Sequence, residues 1–177
     1  MDKLITKFAL IADPHYYSEK LGNTGKAYER RAGSDQKMLA QSRGTILAAL
    51  ELIKNSDAKF LLIAGDLSND GERVSHEEMR EILYEFKKIM PVYVITATHD
   101  WCCDGNPRRY EGDKIYHDVE TIPPEELAEF YKDFGMSDAI STFYTHQNKV
   151  SYVVRPCDGV SIFCLDDDQN GSGSSGY

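Results

Sequence analysis

Long apolar runs are missing from this 177-residue chain. Its apolar stretches, residues 8–12 and 60–64 among them, fall far short of the roughly 20 residues that a membrane helix requires. Residues 1–7 carry one acid and two lysines, so neither a targeting segment nor a membrane partner is expected. Basic residues are in the minority: Lys and Arg number 20 against 29 Asp and Glu, a net charge of −9. That deficit argues against nucleic acid as a partner, because such affinity rests on cations neutralising the phosphate backbone. It leaves a small phosphate substrate open, since a bound metal reverses the local sign. Cysteine is scarce and has no C-x-x-C spacing: Cys102, Cys103, Cys157 and Cys164 are the only four. Adjacent Cys102 and Cys103 are poorly placed to bridge each other, so reduced thiols and a cytoplasmic location are expected. No internal repeat is visible. What is left, 41% hydrophobic and 28% charged residues, suffices for one domain with a buried core.

Three short apolar runs carry the organisation. Phe60-Leu-Leu-Ile-Ala leads into Gly65-Asp66-Leu-Ser-Asn-Asp-Gly71, Phe8-Ala-Leu-Ile-Ala into Asp13-Pro14-His15, and Val92-Tyr-Val-Ile into Thr96-Ala97-Thr98-His99-Asp100. Runs of this kind read as strands buried on both faces of a parallel sheet. Ligands of open α/β sheets bind at the carboxyl ends of the strands. If the three are parallel neighbours, Asp13, His15, Asp66, Thr98, His99 and Asp100 converge along one edge. Carboxylates and imidazoles meeting there suit a divalent ion such as Mn, Fe or Zn.

With these residues in place, the chain resembles the calcineurin-like metallophosphoesterases, whose ordered signatures are D-x-H, G-D followed by a nearby glycine, and G-N-H-D/E. Asp13-Pro14-His15 and Gly65-Asp66 through Gly71 match the first two. Ala97-Thr98-His99-Asp100 departs from the third by placing Ala-Thr where the family has Gly-Asn. The resemblance is firm over residues 8–100 and looser beyond. It implies an αββα sandwich and hydrolysis of a phosphate ester by a metal-activated water, with two divalent metal ions as cofactors. Asp13 and His15 would bind the first ion, Asp66 would bridge the pair, and Thr98 would stand where an amide ligand holds the second. A threonine hydroxyl is a poorer ligand, so the second site is expected to be weak. His99 would act on the transferring phosphoryl group or the leaving oxygen, with Asp100 orienting its imidazole. The expected partner is a small phosphorylated substrate or a phosphoprotein. A non-catalytic phosphate- or metal-binding relative is the alternative, and a nuclease is a weaker rival.

Elsewhere, residues 16–35 lack either hydrophobic period and read as an excursion over the metal edge, with Arg30 and Arg31 able to meet a phosphate. Residues 36–55 read as a crossover helix. Ser75 and Glu78 read as a capping box for a helix with a Met79, Ile82, Leu83, Phe86 stripe. Residues 101–120 read as irregular. A helix opened by Pro123-Pro124 runs to Phe134, and residues 150–154 and 160–165 form a hairpin. His76, His117 and His146 read as surface histidines. Asp166, Asp168, Asn170 and Gly171 resemble the start of a calcium loop without its closing glutamate. Residues 1–177 are expected to be the N-terminal portion of a single domain truncated at the C-terminus. The family's later G-H and G-H-x-H histidines find no match, so the fragment alone is expected to be inactive.

Overall fold

The computed structural model describes residues 6–34, 36–144 and 150–166. Strands β1 (Ala9–Ala12), β2 (Leu61–Ala64) and β3 (Val92–Ile95) form a parallel sheet in that order. The register pairs Ala12 with Ala64 and Ala64 with Ile95, so all three strands end level and their polar sequels emerge together. Parallel pairing requires crossovers. Helix α1 (Lys26–Ser34) and helix α2 (Ser42–Lys54) lie in the first, and helix α3 (Arg73–Lys87) forms the second. One core joins Ile46 and Leu50 of α2, Met79, Leu83 and Phe86 of α3, and Leu61, Ile63, Val92 and Val94 of the sheet. The alternate side chains of those strands face the other way. Phe60, Leu62, Tyr93 and Ile95 pack on Tyr152, Val154, Ile162 and Cys164 of a second sheet.

That second sheet is antiparallel and contains β6 (Ser141–Tyr144), β7 (Val150–Cys157) and β8 (Val160–Cys164). A small hairpin precedes it, β4 (Arg109–Glu111) with β5 (Lys114–Tyr116), followed by helix α4 (Pro124–Phe130). Three layers are therefore present, helices on a sheet on a sheet. Among the described residues no helix covers the outer face of β6–β8.

Several local expectations need correction. The excursion after His15 contains α1, whose mostly polar sequence hides its period. The crossover helix starts later than Gln36: a 3-10 turn, Leu39–Gln41, precedes α2, and residues 36–38 run across the site edge instead. Ser75 and Glu78 are no capping box. Gly71 turns at positive φ and α3 begins at Arg73, which puts Ser75 inside the helix. Its hydroxyl accepts from the amide of Ser18, while Glu78 accepts from the Tyr16 hydroxyl and pairs with Lys20. Residues 101–120 hold the β4–β5 hairpin, and β6 had no counterpart in the sequence reading. The last helix ends at Phe130, although Leu127, Tyr131 and Phe134 are buried as its pattern required. His117 is exposed; His146, Asp168, Asn170 and Gly171 lie outside the described residues. None of the four cysteines is in a disulfide among the described residues.

Candidate metal centre

Hydrogen bonding between the first two strands continues past their ends. The amides of His15 and Tyr16 donate to the carbonyls of Asp66 and Leu67, and the Asn69 amide donates back to Tyr16. This extension holds the D-x-H segment against the G-D segment. Gly65 is required at the turn: its φ is +74°, and a Cβ there would sit 2.5 Å from the Ala97 methyl. The third segment thus approaches to contact at the residue where the chain departs from the family glycine.

Asp13, His15 and Asp66 each bring one ligand atom to within 4.8 Å of the others. The His15 Nε2 lies 3.7 Å from Asp66 Oδ2. Two ligands of one ion with bonds of about 2.0–2.2 Å stand roughly 3–4 Å apart, so the spacing fits. All three residues have left-handed backbones, with φ of 51°, 42° and 49°. Such conformations cost on the order of 1–3 kcal/mol each outside glycine and collect at functional sites. Burial and the neighbouring Lys37 charge push the His15 imidazole below its ordinary pKa, which favours the neutral form a metal needs. Its Nδ1 faces the Ser68 carbonyl at 3.4 Å, leaving Nε2 toward the two carboxylates. The donor set, one imidazole with two carboxylates, suits Mn, Fe or Zn.

A family model described as calcineurin-like phosphoesterase matches residues 6–169. The chain belongs to that family. No curated protein matches it. In this family member the third motif forms a 3-10 turn, Thr98–Trp101, tied to the second by two carboxylates. Asp66 Oδ1 accepts from the His99 amide at 3.1 Å. Asp100 is fully buried and accepts from the amides of Ser68 (2.9 Å) and Ala97 (3.0 Å). Burial pushes its pKa up to about 7. Thr98 is half-buried and opens the turn next to that Asp66 contact; its carbonyl accepts from Cys103.

The imidazole of His99 stands edge-on to that of His15, with 5.0 Å between ring centres. Asp100 does not orient it. A buried carboxylate takes the nearest donors, and here those are two loop amides. The carboxylate at His99 Nδ1 is that of Asp70, with Oδ1 at 3.3 Å, and this hydrogen bond raises the His99 pKa above its ordinary value. Although burial acts to raise the Asp70 pKa, His99, Lys37 and Arg31 together hold it low. Arg31 reaches Asp70 Oδ2 at 3.7 Å, whereas Arg30 is exposed. Sequence reasoning missed Asp70 and Lys37. The carboxylate before Gly71 was a visible signal for Asp70; nothing in residues 36–38 announces Lys37.

His76, expected at the surface, is completely buried in α3. Its Nδ1 meets the Tyr131 hydroxyl and its Nε2 the Asp100 carbonyl, both at 2.8 Å. Burial pushes its pKa down to about 4. It braces the floor of the site and takes no part in the metal group.

Proposed function

We propose that this chain hydrolyses a phosphate ester with divalent metal, acting on a small phosphorylated substrate or a phosphoprotein. The observation that carries the reading is the convergence of Asp13, His15 and Asp66 on one point, each in a strained backbone. Asp13 and His15 would hold a first ion and Asp66 would face both sites, with Thr98 beside the second. When bound, such ions supply activation of water and neutralisation of charge at phosphorus. Asp66 has a further task, fixing the third-motif turn through the His99 amide. His99, held by Asp70 and raised in pKa, is placed to donate a proton toward a departing ester oxygen.

Asp66→Asn is the direct test. The amide oxygen can still accept from the His99 N–H, so the fold contact survives while the charge is lost. Mn²⁺ affinity measured by calorimetry should fall at least about tenfold with an unchanged circular dichroism spectrum. Unchanged metal affinity would remove Asp66 from the site. Mn²⁺ binding without hydrolysis of an aryl phosphate would favour the non-catalytic reading, for which the Thr98 substitution is the specific support.

A further inference from the structure

Lys37 lies outside every motif, yet it reaches the site from residues 36–38, the stretch that crosses the site edge before α2. Its side chain is only 10% exposed. Lysine is rarely covered to that degree unless its ammonium has polar work to do. The Nζ donates to the Asn69 carbonyl at 2.8 Å, stands 3.1 Å from His99 Nδ1, and lies 3.5 Å from Asp70 Oδ1. Those contacts put a fixed positive charge beside the imidazole of His99, the ring that stands edge-on to His15. Lys37 also lines, together with Asp13 and His15, a cleft of about 550 Å³ between β1 and α2. Lys37 therefore borders open space that two of the three residues of the metal group also line.

We propose that Lys37 is a substrate-binding residue, whose ammonium takes a non-bridging oxygen of the phosphate ester held at Asp13, His15 and Asp66. The proposal rests on the metal-dependent reading above. Of the three contacts, the 3.5 Å approach to Asp70 is the longest, and it is the one a phosphate oxygen would displace. The Asn69 carbonyl would keep the ammonium anchored as that happens. Asp70 then has two connected tasks, holding His99 on one oxygen and parking Lys37 beside it, with Arg31 against the other oxygen. A lysine serving only to tie down residues 36–38 would need the Asn69 carbonyl alone. Placement on the imidazole and beside the cleft goes beyond that need.

Inorganic phosphate titrated calorimetrically into the Mn²⁺-saturated chain tests this. Lys37→Gln keeps a donor for the Asn69 carbonyl without the charge, and Lys37→Arg keeps the charge. The Gln variant should bind phosphate about 10- to 100-fold more weakly, the range expected for one charge-assisted hydrogen bond. Its Mn²⁺ affinity should stay within a few-fold of the parent's, and the Arg variant should stay within a few-fold of the parent for phosphate and keep the parent's thermal midpoint. Equal phosphate affinity in the Gln variant would overturn the proposal. So would a parallel loss of phosphate affinity and thermal midpoint in both variants, which would make Lys37 a strut. A parent that binds Mn²⁺ but not phosphate overturns this inference and leaves the metal reading standing; a parent that binds no Mn²⁺ overturns both.

Discussion

Asp70 shows how much of this site is decided by a single side chain. Its carboxylate is nearly fully covered, and it gathers His99, Lys37 and Arg31 within 4 Å. The sign of its effect on His99 is clear: a hydrogen bond to a carboxylate favours the protonated imidazole. Because the folded His99 pKa lies above the ordinary value, the pair stabilises the fold fully below about pH 6.5. That contribution is lost as pH rises through the folded value. Asp70→Asn should therefore lower the His99 pKa, read from the pH dependence of its ring protons by NMR. An unchanged His99 titration would detach Asp70 from it. At this scale the sequence was informative where a residue type had to occupy a strand end, as with Asp13, His15, Asp66 and His99. It was silent where partner choice depends on distance: Asp70 rather than Asp100 meets the imidazole because Asp100 is turned inward to two amides.

Helix α3 joins the metal edge to the core through His76. Met79, Leu83 and Phe86 were legible as its buried stripe, since their 3–4 residue spacing defines one face. His76 was not, because a histidine one turn earlier reads equally well as surface. Packed under the third-motif turn and against Tyr131, it must remain neutral. With a folded pKa of about 4 against an ordinary 6.5, the unfolded chain binds more protons between those values. His76 thus adds stability above about pH 6.5, and the contribution is lost as pH falls toward 4. Asp100 has the opposite slope over much of that window, since its raised value favours the folded state at lower pH, so the parent's own profile is partly cancelled. The difference between the parent and His76→Gln removes that complication. Urea denaturation should show the parent's advantage growing by up to about 3 kcal/mol from pH 4 to pH 6.5. An advantage that stays constant across the window would mean that His76 is not held neutral by burial.

On the scale of the whole molecule, the parallel sheet was legible because its three strands are apolar and end in turn-forming polar residues. The second sheet was only half legible. Residues 150–154 and 160–165 are apolar runs about a Pro-Cys-Asp-Gly turn, but β6 is exposed along most of its length and sits at an edge, where packing leaves little mark on sequence. Val160, Ile162 and Cys164 are half-buried, while Phe163 and Leu165 are each 66% exposed. Phe143 on β6 is exposed too, and the register pairs it with Ser151 and pairs Phe163 with Val153. The outer face of β6–β8 is consequently an apolar surface on a strongly acidic chain. Apolar sheet faces and edges of this kind drive association, whereas a net charge of −9 opposes it. Self-association should therefore appear at high concentration and strengthen with salt, which screens the repulsion. Sedimentation velocity should show a weight-average mass rising above the 20.0 kDa of one chain. Replacing Phe143 and Phe163 by lysine, at little cost because both are exposed, should restore that mass. Association persisting in this double variant but lost in Leu10→Lys would transfer the contact to β1, where Phe8 and Leu10 are also exposed. A parent that stays monomeric at high salt would show that charge is not what keeps these faces apart.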